Sequence, residues 1–160
     1  MYRPDTEVIR TLDAHGVKYR LLPHEEPVFT VDAAAEQRGV IKEEMVKSIL
    51  LRDRKGKHVM ACVTGDARLD PHAVRAHLGE GWGRLSFATA EQIKEVAGFV
   101  QGAVAPVGLP DDIPILFDQG IAACKRVNIS SGDPMAGLEL ATEDLFRIAR
   151  AQLAKIAAKE

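Results

Sequence analysis

Residues 45–63, MVKSILLRDRKGKHVMACV, decide the fold. Met45 to Leu51 is apolar apart from Lys47 and Ser48, and Val59 to Val63 is apolar again. Between them Arg52-Asp53-Arg54-Lys55-Gly56-Lys57 is a polar turn. Two apolar runs around a turn that carries a glycine predict a β-hairpin, and their near-continuous hydrophobicity makes these central strands.

Towards the N-terminus, Asp5 to His15 has helical spacing, with Val8, Ile9 and Leu12 on one face and Gly16 as its stop. Val17, Tyr19 and Leu21 alternate with Lys18 and Arg20, the period of a half-buried strand. Pro23 and Pro27 frame a loop, and Asp32 to Arg38 is an Ala-rich helix closed by Gly39. Towards the C-terminus, Asp70-Pro71 opens a helix that ends near Gly79. Thr89 to Gln92 fits a capping box for a second short helix that ends at Gly98. Ile113 to Phe117 reads as a strand, Asp118-Gln119-Gly120 as a turn, and Ile121 to Ile129 as the returning strand. Ser130 to Pro134 reads as a loop, and Leu138 to Leu140 as a short extended segment. Thr142 to Lys159 is the longest helical pattern, with Leu145, Phe146, Ile148, Ala149, Leu153 and Ile156 as its stripe. Strands seldom alternate singly with helices in this order. A doubly wound parallel sheet is therefore disfavoured, and an α+β domain with a mixed, largely antiparallel sheet is expected.

The 160 residues amount to one domain, read as residues 1–160 without a linker or repeat. With aromatics at 5%, the core must be aliphatic, and a broad stacking surface for single-stranded nucleic acid is not expected. The formal charge of −2 argues against a general nucleic-acid coat. Contact with RNA would need a local patch such as Arg52, Arg54, Lys55 and Lys57, joined in space by Lys125 and Arg126; the competing reading is a solvated turn. No apolar run reaches signal-peptide or membrane-span length, so the expected setting is the cytoplasm, with no membrane and no DNA as partner. Cys62 and Cys124 sit among apolar neighbours with no CxxC spacing, as small hydrophobes do. No cluster has zinc spacing, and P-loop, GxSxG and GxGxxG words are absent.

Three features remain for chemistry. Lys47 interrupts an apolar strand, where a buried ammonium is costly unless it is partnered. It is a candidate to hold an oxygen as a point charge or, with a depressed pKa, to act as a base. Gly102-Ala103-Val104-Ala105-Pro106-Val107-Gly108 is a candidate backbone cradle, against the plain reading of an irregular, bulged strand. Ile129-Ser130-Ser131-Gly132-Asp133-Pro134 gathers hydroxyls and a carboxylate that could meet a ribose or a water; as a segment alone it reads more readily as a turn.

Together and in this order, these words resemble the YbaK family, the prolyl-tRNA-synthetase-associated editing domain. The resemblance rests on Val46-Lys47-Ser48-Ile49-Leu50, on the GxxxP loop Gly102–Pro106 followed by Val107-Gly108-Leu109, and on Ser131-Gly132 followed by Gly137-Leu138-Glu139-Leu140. It implies a compact α+β domain with a curved mixed sheet or barrel and surrounding helices. It implies hydrolysis of the ester joining a non-cognate amino acid to tRNA, typically tRNA-Pro, in trans. The mischarged acceptor end is then the substrate and prolyl-tRNA synthetase a candidate partner, with no metal or organic cofactor. Lys47 falls on the family's functional lysine and Gly102 on the glycine of its aminoacyl-binding loop. Asp133 stands where some members carry a functional His, and joins Lys47 and Gly102 as an expected catalytic position. Phe29, Thr30, Met45, Ser48, Ala103, Pro106, Ser131 and Gly132 are expected around the substrate. On this reading backbone N–H groups at Gly102 and Ala103 would stabilise the oxyanion, Lys47 would bind the phosphate of the terminal adenosine and fix the ester's position, and a water helped by the free ribose hydroxyl would attack. The alternatives are a module that binds aminoacyl-tRNA ends or nucleotides without turnover, and a thiol protein using Cys62 or Cys124.

Overall fold

The structure is a computed structural model that describes residues 3–158. In chain order the elements are α1 (Glu7–Ala14), β1 (Tyr19–Pro23), α2 (Val31–Arg38), β2 (Val46–Arg52), β3 (His58–Thr64), α3 (Pro71–Leu78) and β4 (Ser86–Phe87). Then come α4 (Ala90–Gln92, running into a π-turn at Ile93–Ala97), β5 (Ile115–Asp118), α5 (Gln119–Ala122), β6 (Arg126–Asp133), β7 (Ala136–Ala141), α6 (Thr142–Ala149) and β8 (Gln152–Ala154).

The hairpin forms as read. β2 and β3 pair antiparallel from Val46 opposite Thr64 to Arg52 opposite His58. They sit centrally in a five-stranded mixed sheet of order β4-β2-β3-β5-β8. Both faces of this sheet are buried, which is why β3 is apolar at nearly every position. Val46, Leu50, Met60 and Cys62 face the main core with Val8, Leu12, Ile129 and Leu138. Leu51, Val59, Ala61 and Val63 face a second core with Val74, Leu116 and Ile156. A three-stranded antiparallel sheet, β1-β7-β6, completes the α+β domain. An isolated parallel bridge from Met45 to Asn128 links the start of β2 to β6. The sheets do not close, so the barrel form of the expectation is corrected to two open sheets.

The C-terminal helix is also corrected. α6 stops at Ala149, and Arg150 turns the chain with φ 52°. The following residues form β8, parallel to β5, and the end of the helical reading at Lys159 lies outside the described residues. The cause is Asp118. One carboxylate oxygen accepts both the Ile156 and Ala157 N–H groups at 2.9 Å, and the other accepts Gly120 N–H. A tertiary anchor with burial of Ile156 outweighs helical periodicity. Asp118 also caps α5, so the expected turn at 118–120 is a helix start, and β6 begins at Arg126 rather than near Ile121. No helix of the described residues is long and apolar enough to cross a membrane.

The basic turn lies at the far tip of the β2–β3 hairpin, about 13 Å along the strand from Ser48 to Arg52. Part of it is structural. Asp53 accepts the Lys55, Lys57 and Gly83 N–H groups, and the Lys57 ammonium lies 4.2 Å from the Trp82 ring centre.

Candidate functional site

A cleft of about 280 Å³ opens where α2, the start of β2, the Gly102 loop and β6 meet. Phe29, Thr30, Met45, Lys47, Ser48 and Gly102, all expected from sequence, border it. So do Val104 and Ser130, from the two candidate segments, and Arg38, which sequence reasoning did not select.

Local chemistry fixes each wall. Thr30 is the N-cap of α2, its hydroxyl oxygen accepting Ala33 N–H, and this holds Phe29 at the rim with 57% of its surface exposed. Met45 packs with Val28 and Ala34 in a small cluster under α2 and floors the cleft. Gly102 has φ +90°, and a Cβ there would stand 2.8 Å from Phe29 Cα and 3.0 Å from Phe29 O. Backbone therefore touches backbone across the cleft, which only glycine permits.

The two amides of the loop differ. Ala103 N–H already donates to Val100 O at 2.9 Å, which removes it as an oxyanion donor. Gly102 N–H has no hydrogen-bond partner among the described residues. Ala103 is buried away from the cleft, and Pro106 lines a different concavity, so neither borders the site.

Lys47 borders the cleft, yet its ammonium donates to Ala67 O at 2.7 Å, in the segment after β3. Burial pulls its pKa below the usual lysine value, partly offset by Asp66. With one N–H given to that carbonyl, the ammonium keeps two N–H bonds for a ligand. Ser48 lies opposite Cys62 and its oxygen accepts the thiol at 3.4 Å. Burial pushes the Cys62 thiol up to about 12, and burial also raises Cys124, so neither is a thiolate at neutral pH.

The late segment is corrected most. β6 continues to Asp133, with a bulge that places Ser131 and Gly132 between the pairs Ser130–Gly137 and Asp133–Ala136. Ser131 has no exposed surface; its hydroxyl donates to Ala136 O at 2.6 Å and accepts Asp133 N–H. Gly132 packs against the side chains of Thr6 and Val8. Asp133 accepts Met135 N–H at 2.8 Å. Ser131, Gly132 and Asp133 thus build the β6–β7 turn outside the cleft, and Ser130 faces the cleft in their stead. A histidine does reach this turn from elsewhere in the chain. His24 is buried, with Nδ1 at 2.8 Å from Pro134 O and Nε2 accepting Arg38 Nε–H at 3.1 Å. Both nitrogens are occupied and burial lowers its pKa, so it is a neutral structural link.

Arg38 is a largely desolvated cation bordering the cleft. Its Nη1 donates to Asn128 Oδ1 at 2.9 Å, its other partner is the neutral His24, and no carboxylate pairs with it among the described residues. The one hint in the sequence was its position four residues after Ala34, on the same helix face.

A larger concavity, about 710 Å³ between α1, residues 106–115 and α6, lies elsewhere. Its arginines are paired, Arg150 with Asp111 and Arg147 with Asp144, and the sequence words do not converge there. Among the described residues no group of three or more His, Cys, Asp or Glu could hold a metal ion. The smaller cleft therefore offers two cations, three hydroxyls (Thr30, Ser48, Ser130) and a glycine amide, with no carboxylate, imidazole or thiol among the described residues of its lining. Such a site can bind and polarise an ester, and must draw its base from the substrate or from water.

Known proteins share this fold. The chain is 28% identical to the prolyl-tRNA editing protein ProX of Acetoanaerobium sticklandii, over 90% of this chain and 89% of that one. It is 37% identical to the proline–tRNA ligase of Kosmotoga olearia, over 57% of this chain but 15% of the ligase. Among solved structures, a candidate trans-editing enzyme for prolyl-tRNA synthetase superposes with a TM-score of 0.81 at 27% identity, covering 98% of this chain and 100% of that one. A hypothetical protein superposes with a TM-score of 0.86 at 29% identity, covering 96% and 100%. The sequence profile of the aminoacyl-tRNA editing domain matches residues 25–148, a span that includes every segment bordering the cleft, and the chain belongs to that family.

Proposed function

We propose that the chain is a trans-editing hydrolase that removes a small non-cognate amino acid from mischarged tRNA, with tRNA-Pro as the substrate, acting in the cytoplasm as one domain over residues 1–160. The observation that carries this reading is the convergence of Lys47, Ser48 and Gly102 on one small cleft. An aminoacyl ester is activated, and its neighbouring ribose hydroxyl can serve as base or relay, so such a site suffices. Gly102 N–H supplies a donor for the carbonyl oxygen as it gains charge. Lys47, with two N–H bonds free, holds an oxygen of the terminal nucleotide or ester. Phe29 offers a ring at the rim for the terminal adenine to stack upon. Asp133 acts, in this scheme, through the turn that presents Ser130. Met45 and the Gly102–Phe29 contact cap the space for the amino-acid side chain. One methylene changes such discrimination by about 1–3 kcal/mol, so a second sieve beside the synthetase is physically useful. The names of the ProX relative and of the trans-editing structural neighbour support the same assignment. The proline–tRNA ligase match supports prolyl-tRNA synthetase as the companion enzyme.

The test is a deacylation panel with tRNA-Pro charged separately with Ala, Ser, Cys, Thr and Pro. Loss of one small amino acid with Pro-tRNA spared is expected. Tight binding without hydrolysis at excess protein would instead establish a non-catalytic aminoacyl-tRNA binding module, the reading favoured by the absence of any carboxylate or imidazole in the lining.

A further inference from the structure

We infer that Arg38 is the phosphate-binding residue of the site, receiving the phosphate on the 5′ side of the terminal nucleotide of the acceptor end. This deepens the editing reading and rests on it. Arg38 is a charge without a counter-charge among the described residues. It is the last residue of α2 and lies over the outer face of the three-stranded sheet, where Gly137 of β7 leaves it room. A Cβ at Gly137 would come within 2.1 Å of Arg38 Nε and 2.4 Å of Cζ. The guanidinium is then clamped by two neutral groups, His24 through Nε and Asn128 through Nη1. Asn128 is itself fixed, since its amide donates to Glu44 O at 3.2 Å. Glu139, opposite Asn128 in the β6–β7 pair, is already shared by Arg20 and Arg126. Nη2 makes no hydrogen bond among the described residues.

A desolvated cation clamped by neutral groups is a costly arrangement that an anionic ligand repays. Burial lowers the Arg38 pKa to about 10, which still leaves it charged at neutral pH. The substrate's chemistry then selects the ligand. The amino acid is esterified and has no carboxylate, and its α-amino group is cationic or neutral. The anion nearest the ester is the phosphodiester of the terminal nucleotide, which suits an arginine with a free N–H edge. Lys47 is less suited to that task, because its ammonium is engaged by Ala67 O. It is left for the ester end of the cleft.

The experiment compares AMP with adenosine as ligands, followed by NMR titration, for the wild type, Arg38→Gln and Asn128→Asp. The wild type is expected to prefer AMP by about tenfold or more, the size of one charge-assisted hydrogen bond. Arg38→Gln is expected to bind the two alike. Asn128→Asp leaves Arg38 in place and gives it an internal carboxylate, so it too should lose the preference, with thermal melts confirming that each variant is folded. A second arm measures deacylation of mischarged tRNA against the phosphate-free ester 3′-O-aminoacyl-adenosine. Arg38→Gln should lose kcat/KM on the tRNA about tenfold more than on the nucleoside ester. Equal losses on both, or a wild type indifferent to the phosphate, would overturn the inference and leave editing intact. A wild type that hydrolyses neither ester defeats the editing reading, while the AMP-to-adenosine ratio still decides the phosphate site.

Discussion

Gly102→Ala perturbs a backbone contact that joins two sides of the cleft. Two penalties add. At φ +90° an L side chain is strained, at about 1–2 kcal/mol for a left-handed residue. The new Cβ would also stand 2.8 Å from Phe29 Cα, and the obstructing atoms are backbone. Such overpacking costs about 1–3 kcal/mol. The sum, about 2–5 kcal/mol, is a sizeable part of a typical domain's stability of about 5–15 kcal/mol, and corresponds to a fall in Tm of roughly 10 °C. The chain relieves part of this by moving the loop away from Phe29, and a misplacement of about 1 Å at a reacting centre costs on the order of a hundredfold in rate. Calorimetry and single-turnover deacylation should therefore show a lowered Tm, with a loss of rate that persists well below the melt. A variant with wild-type Tm and wild-type rate would refute the close approach at Gly102 and the role built upon it.

Lys47→Met removes one ammonium and its bond to Ala67 O while keeping most of the apolar stem. Stability should fall by about 1 kcal/mol and kcat/KM by ten- to a hundredfold; full activity in the folded variant would remove Lys47 from the mechanism. Burial lowers the folded pKa of His24 below its unfolded value of about 6.5. The stability it contributes is therefore complete above pH 6.5 and is lost as pH falls through the folded pKa. Between pH 7 and 5 the urea midpoint of the wild type should drop more than that of His24→Gln, and parallel curves would contradict the assignment. Asp118→Ala leaves three backbone donors without their acceptor, one of them on buried Ile156, and should cost about 3 kcal/mol. Hydrogen exchange at Ile156 and Ala157 should accelerate in step; unchanged exchange would show that β8 is held by packing alone. Gly137→Ala should displace Arg38 from its partners. In a double-mutant cycle with Arg38→Gln the costs should fall short of additive by about 1–3 kcal/mol, whereas additive denaturant midpoints would show that the guanidinium does not need the space.

The fold was legible where burial wrote itself into local pattern. The hairpin at 45–63, the capped helices opened by Asp70 and Thr89, and the amphipathic α1 all follow from apolar period and cap chemistry. The C-terminal segment was not legible, because Leu145 to Ile156 satisfies a helical period by coincidence of two separate structures. Leu145 and Ala149 face the core from α6, while Ala154, at the end of edge strand β8, and Ile156, two residues beyond it, enter the second core. Arg150 carries no glycine signal for the turn between them, and the bond that ends the helix comes from Asp118, more than thirty residues upstream. Periodicity cannot register an acceptor supplied from that distance.

The candidate site divides along a similar line. Residues that local pattern singled out do border the cleft: Thr30 with the helix it caps, and Lys47 and Ser48 on their strand. Ser131, Gly132 and Asp133 were assigned to the site because hydroxyls, a glycine and a carboxylate look alike whether they face a ligand or close a turn. What separates them is parity. In a strand, a shift of one residue exchanges the two faces, and the bulge after Ser130 inserts two residues before pairing resumes at Asp133. Ser130 is thus set on the cleft side and Ser131 into the interior, where Thr6 donates to its carbonyl from the start of the chain. Arg38 was hidden for the complementary reason. An arginine closing an Ala-rich helix is ordinary in sequence, and a glycine in a strand is a minor anomaly. Only when β7 brings Gly137 beneath α2 do the two explain one another, the glycine as the space and the arginine as its occupant. The charge left unpaired by that fit is therefore a property of the tertiary structure alone, and it marks the part of the site where a purely local reading had nothing to detect.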